Sequence, residues 1–139
     1  MNNHDLFHSL QQISRKLTKN LNETLEPFGL YSSQWSVLYV LHTKGILTQK
    51  QLCDYLSVEA PPMTRTIQRL LKQGLVEQVQ GEDRRAKYIQ LTAKSIEEYP
   101  SWEHAVLEMN KKLISQFPLE LQKELLLLIN KWLHTFSEK

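Results

Sequence analysis

Residues 75–92 read LVEQVQGEDRRAKYIQLT, and the fold turns on them. Two short runs, 75–80 and 87–92, are rich in β-branched and aromatic residues and flank a polar loop, GEDRRA, at 81–86. This pattern predicts a β-hairpin with a long charged tip. The chain around it keeps a helical period instead. Just upstream, Met63, Ile67, Leu70 and Leu71 line the inner side of a helix. Pro61 and Pro62 fit its first turn, where an amide hydrogen has no helical partner, and Gly74 stands at its C′ position.

Further upstream, Thr48, Gln49, Lys50 and Gln51 spell a capping box, in which the Thr hydroxyl and the Gln side chain each satisfy a free amide. The helix it opens is short, with Leu52, Cys53 and Leu56 as its apolar face. Residues 57–60 connect it tightly to the next helix. Short helix, turn, second helix and hairpin make the outline of a winged helix-turn-helix. Ahead of it, Ser33 is placed to cap a helix carrying Trp35, Leu38 and Leu41 and closed by Gly45. The first helix is striped by Leu6, Leu10, Ile13, Leu17 and Leu21, and Pro27 with Gly29 ends it. After the hairpin, Trp102, Val106, Met109, Leu113 and Phe117 continue the helical spacing, with Pro100 expected to kink or interrupt it. Pro118 opens a last helix striped by Leu121, Leu125, Leu128, Trp132 and Phe136.

Length and composition narrow the function. The 139 residues, 41% hydrophobic and 23% charged, suit one folded domain rather than a disordered chain. One Cys excludes an internal disulfide framework and a multi-cysteine zinc site. No apolar run reaches the roughly 18–20 residues of a membrane span, and the first ten residues lack the layout of a signal peptide, so a cytoplasmic protein without a membrane partner is expected. No glycine-rich phosphate loop, carboxylate cluster or Ser, His and Asp arrangement points to an enzyme, and no cofactor is implied. His4 and His8 have a helical metal-ligand spacing, but no Cys or carboxylate cluster accompanies them, so no metal site is assigned.

The net charge of +2 hides a segregation. Residues 1–43 are neutral, residues 44–94 hold nine basic against five acidic side chains, and residues 95–139 are net −2. In a helix-turn-helix the second helix presents its outward residues to the major groove. With Met63, Ile67 and Leu70 turned in, those residues are Thr64, Arg65, Gln68, Arg69 and Lys72, and residues 60–73 hold no acid. Arg pairs with a guanine edge, Gln with adenine, and Thr offers a hydroxyl or a methyl. At the hairpin tip, Asp83 is placed to hold the guanidinium of Arg85, and an Arg on a thin loop suits the narrow minor groove. Arg84 and Lys87 add charge beside it. A protein-interaction module on the same scaffold, without DNA binding, is the alternative, and it has no need of this cationic face. The terminal helices carry more apolar surface than one small winged domain needs, which points to a homodimer.

Residues 48–56, Met63, Thr64 and Arg65 through Leu70, Gly74, Leu75 and Val76, and the Asp83, Arg84, Arg85 wing through Leu91 and Thr92 resemble the multiple-antibiotic-resistance regulator (MarR) family. The resemblance spans essentially the whole chain. It implies a mainly α fold with a small β-hairpin: one domain over 1–139, with a winged helix-turn-helix at 31–94 and dimerisation helices at 1–30 and 95–139. It also implies a homodimeric repressor of a pseudo-palindromic double-stranded DNA operator. Thr64, Arg65 and Gln68 would face the major groove, Arg69 a phosphate or an internal ion pair, and Arg85 the minor groove with Asp83 orienting it. A small aromatic or phenolic effector is implied between the dimerisation helices and the winged domain, with Tyr31, Trp35, Tyr39, Trp102 and Met109 as candidate lining. Two departures stand out: Pro61 and Pro62 replace small polar residues, and Lys94 and Ser95 stand where the family commonly has Lys and Gly. Some relatives sense peroxide through a Cys in the first helix, which has none here. Cys53 is expected to be structural filler.

Overall fold

The computed structural model describes residues 2–137. The elements run α1 (His4–Leu25), a 3₁₀ turn (Glu26–Phe28), α2 (Ser32–Lys44), β1 (Leu47–Thr48), α3 (Gln49–Leu56), α4 (Ala60–Lys72), β2 (Val76–Val79), β3 (Tyr88–Leu91), α5 (Ala93–Ile114) and α6 (Leu119–Ser137). One compact unit extends to Val106 and a second begins at Leu107, so the division falls inside α5. The reason is burial. Leu25 from α1 and Tyr99, Trp102 and Val106 from α5 are buried along with Leu38, Leu41, Leu52, Met63, Ile67, Leu70 and Ile89. Each fully buried apolar side chain of this size contributes roughly 1.5–3 kcal/mol through its transfer from water.

The sheet has three strands, not two. β1 pairs with β3 (Leu47↔Ile89, Thr48↔Tyr88), and β3 pairs with β2 from Val76↔Leu91 to Val79↔Tyr88, all antiparallel. A two-residue strand leaves no period to read in sequence. Thr48 then does two things at once: it ends β1 and caps α3, its hydroxyl accepting from the Gln51 amide at 3.1 Å while Gln51 Oε1 accepts from the Thr48 amide at 2.8 Å.

The cap of α2 is not Ser33. Ser33 lies within the helix and Tyr31 occupies the N-cap, its N–H donating to Gln34 Oε1 at 2.8 Å. The next amide, Ser32, donates to Asn22 Oδ1 of α1 at 2.7 Å, so α1 supplies an acceptor for one of the free amides of the first turn. Pro100 does not interrupt α5 either, which is one helix from Ala93 to Ile114. Pro100 and Ile96, whose carbonyl loses its usual amide partner to the proline, both face solvent, where water can take that bond. Tyr99 and Trp102, on the buried side, hold the helix on either side of the proline.

The turn into the hairpin follows the expected Schellman geometry: Gly74 has φ 73°, its N–H donates to the Leu71 carbonyl at 3.0 Å, and the Leu75 N–H donates to the Leu70 carbonyl at 2.9 Å. At the opening of α5, the Thr92 hydroxyl donates to the Gly74 carbonyl at 2.7 Å and accepts from the Ser95 amide at 3.2 Å. Ser95 is fully buried, and its hydroxyl donates to the Leu75 carbonyl. The departure at Ser95 thus adds a bond between α5 and the start of the hairpin. In the second unit, the end of α5 and α6 are joined by a turn in which Phe117 N–H donates to the Ile114 carbonyl at 2.9 Å, and Pro118 accepts the first helical bond of α6 from Gln122.

Candidate nucleic-acid interface

α4 divides as its sequence predicts. Met63, Ile67 and Leu70 are buried, and Arg65, Gln68, Arg69 and Lys72 are exposed. Thr64 is different: it is half-buried, and its hydroxyl accepts a hydrogen bond from Nε2 of Gln49 on α3 at 2.8 Å. Arg69 has no ion-pair partner among the described residues; its guanidinium lies 6.0 Å from the centre of the Tyr31 ring. That contact keeps its head near the protein by a cation–π attraction while leaving it in solvent.

The hairpin tip is ordered by a short chain of bonds. Asp83 Oδ1 accepts from the Arg85 amide at 3.0 Å and from Arg85 Nε at 3.5 Å, while the Asp83 N–H donates to the Tyr88 hydroxyl at 3.3 Å. The Arg85 side chain is 94% exposed, so the ion pair sits in water and adds little stability. Its consequence is orientation. Arg84 and Lys87 are exposed on the same loop.

Between the hairpin and the helix-turn-helix lies an open concavity of about 1010 Å³. Gln49, Lys50, Cys53 and Asp54 of α3, the turn through Glu59, and Asp83, Arg85, Lys87 and Tyr88 of the wing all line it. Its charges alternate in sign, with Lys50, Arg85 and Lys87 against Asp54, Glu59 and Asp83. Cys53 is half-buried here rather than sealed in the core. Desolvation, and then Asp54 and Glu59, push its thiol above the usual cysteine range, which lowers its thiolate fraction and its reactivity. Gln49 and Lys50 were not legible as site residues, because only the pairing of β1 with β3 brings them to the wing base, and Tyr88 was read only as a strand residue of the hairpin.

The candidate effector residues of the first unit fall into two sets. Trp35, Tyr39 and Trp102 belong to an aromatic cluster completed by Tyr99, which stacks on Trp35 at 5.4 Å and on His42 at 3.8 Å and meets Trp102 edge-on at 6.2 Å. Tyr31 is exposed and lines a separate, smaller opening with Asn22, Glu26 and Leu30. Met109 lies in the second unit.

A capped helix-turn-helix with a cationic outer helix and an Arg-tipped hairpin beside it defines the class of winged helix-turn-helix regulators. Comparison with known proteins narrows the class. The MarR family model matches residues 28–86. Over 115 residues the chain is 48% identical to YwoH of Bacillus subtilis (strain 168), an uncharacterized HTH-type transcriptional regulator, covering 83% of this chain and 84% of that one. Wild-type MarR from E. coli in its apo form is 25% identical with a TM-score of 0.79, over 92% of this chain and 96% of that chain. A cysteine-to-serine mutant of E. coli MarR complexed with operator DNA has the same fold, with a TM-score of 0.85 at 24% identity and 94% coverage of both chains. The chain belongs to the MarR family. It is a transcriptional regulator and not an enzyme.

Proposed function

We propose that the chain is a homodimeric, cytoplasmic repressor that reads a pseudo-palindromic double-stranded DNA operator and is relieved by a small aromatic ligand. In this reading α4 enters the major groove with Thr64, Arg65 and Gln68 toward base edges. Arg69, Lys72 and Lys87 meet phosphates, and Arg85, flanked by Arg84, probes the minor groove. The observation that carries the reading is the wing tip. Asp83 binds both the backbone and the side chain of Arg85 and leaves its guanidinium in solvent, an arrangement a solubilising turn does not need. The MarR–operator complex supports the same use of this fold. Exposed Leu6, Ile13 and Leu17 on α1 and Leu125, Leu126, Leu127, Leu128 and Leu133 on α6 supply apolar surface for a two-fold partner. The aromatic cluster around Tyr99, whose hydroxyl is buried with no hydrogen-bond partner among the described residues, supports an aromatic effector with a polar group. Such a ligand relieves repression only by binding the two conformations of the dimer unequally.

Selection of bound fragments from the native genome, followed by titration of the selected site, tests this reading. Affinity should fall steeply with salt as phosphate contacts release counterions. Arg85→Ala should weaken binding by about 1–3 kcal/mol. Selection of no sequence would sink the operator-reading function, and unchanged affinity in the variant would remove Arg85 from it.

A further inference from the structure

Gln49 sits where the three parts of the proposed reader meet. Its backbone N–H donates to the carbonyl of Lys87, at the base of the wing, at 2.9 Å. Its side-chain amide donates to the Thr64 hydroxyl of α4 at 2.8 Å. It is also the first residue of α3, directly after Thr48, which pairs with Tyr88 in β3. One residue therefore bonds the wing from its backbone and the recognition helix from its side chain. We infer that Gln49 is a positioning residue for sequence reading, fixing the Thr64 hydroxyl and setting α4 against the wing. This rests on the DNA-reading function proposed above.

The chemistry favours a role in selectivity over one in affinity. A Thr hydroxyl has one proton and two lone pairs, and when unrestrained it rotates to suit either a donor or an acceptor. Such a group tolerates different base edges and discriminates poorly. With one lone pair engaged by the Gln49 amide, the rotor is held and fewer hydrogen-bond patterns remain for DNA. Gln49 is uncharged, so its own effect on phosphate attraction is small. The signature of this role is a loss of preference between sequences at nearly constant non-specific binding.

The test compares the full-length wild type with Gln49→Leu, Thr64→Val and the double variant. The readout is the ratio of affinities for the selected site and for unrelated duplex DNA at one salt concentration. Gln49→Leu keeps the backbone bond to Lys87 and removes only the amide. The expected result is a fall of about tenfold in that ratio, equivalent to roughly 1.4 kcal/mol, with an unchanged salt slope. The double variant should be no worse than Thr64→Val alone, since the two residues act through one contact. Gln49→Glu can only accept, so it takes the Thr64 proton instead of engaging a lone pair; it should lower the ratio as well, while its charge weakens binding to all DNA. Losses that multiply in the double variant, an unchanged ratio in Gln49→Leu, or equal weakening on all DNA by Gln49→Leu would each overturn the inference. A thermal midpoint measured on each variant separates these outcomes from misfolding. A wild type that selects no sequence overturns the underlying function and this inference together; a selective wild type with an equally selective Gln49→Leu overturns the inference alone.

Discussion

Tyr99 combines two opposed effects in one side chain. Its ring is 2% exposed and stacks on both Trp35 and His42, while its hydroxyl is buried with no partner among the described residues. Tyr99→Phe keeps the stacking and removes the orphaned oxygen, so it should raise stability in urea by about 1 kcal/mol. A loss of stability would mean that the hydroxyl is satisfied in the native protein. Burial, with Glu103 and Tyr39 adding, pushes this phenol up to about 12. An unfolded chain ionises its Tyr near about 10. Because the folded value is the higher one, the stability contributed is complete below the unfolded pKa and is lost as pH rises through that window toward the folded one. Phenolate absorbance of the folded protein should show this late titration, and Tyr99→Phe should abolish it. Gly81 makes a second point at this scale. A Cβ there would overlap the Tyr88 ring, whose hydroxyl holds the Asp83 amide. Gly81→Ala should displace that brace and weaken selected-site binding toward the level of Arg85→Ala, with little change in the thermal midpoint because the loop is exposed. Full affinity in Gly81→Ala would show that the wing reads DNA without it.

At the scale of elements, the ends carry most of what was legible. The capping box at Thr48 and Gln51 forms as written, and Thr48→Ala should cost about 1 kcal/mol in chemical denaturation. A cost near zero would mean that the β1 pairing alone holds the start of α3. Gly74 announced its left-handed C′ turn because glycine takes that conformation readily. The end of α3 gave no such sign. Ser57, with φ 55°, takes the left-handed conformation there, while the Val58 amide closes onto the Cys53 carbonyl. Serine rarely adopts it, so no local rule points to that residue. The same limit hid the polar bridge between helices. Gln34 donates to Gln73 at 2.6 Å and Gln73 donates to the Gly29 carbonyl at 2.9 Å, a link across 44 residues that depends on tertiary packing alone. The cationic face of α4 and the Asp83–Arg85 pair were readable because each is local. Gln49 joins the site through the pairing of β1, and a two-residue strand has no pattern of its own.

The whole molecule poses a problem of surface. No described residue of α6 is buried, and Leu126 and Leu133 are each 60% exposed. Apolar faces of this extent are rare on monomers because each exposed leucine forgoes its transfer from water. If a second copy covers them, folding and association are linked, and the thermal midpoint must rise with protein concentration by mass action. Leu126→Glu tests this most directly. A carboxylate buried without a partner in an apolar interface is strongly unfavourable, so the variant should sediment as a monomer where the wild type is a dimer. The unit that carries α4 and the wing has its own buried core, in which Leu126 has no part, and it should stay folded by circular dichroism. Binding to a single half-site should persist, whereas affinity for the full operator should fall steeply, because two linked readers gain from effective concentration what one cannot. A wild type that sediments as a monomer with a midpoint independent of concentration would refute the dimer. A dimeric Leu126→Glu with full operator affinity would place the interface elsewhere on the chain.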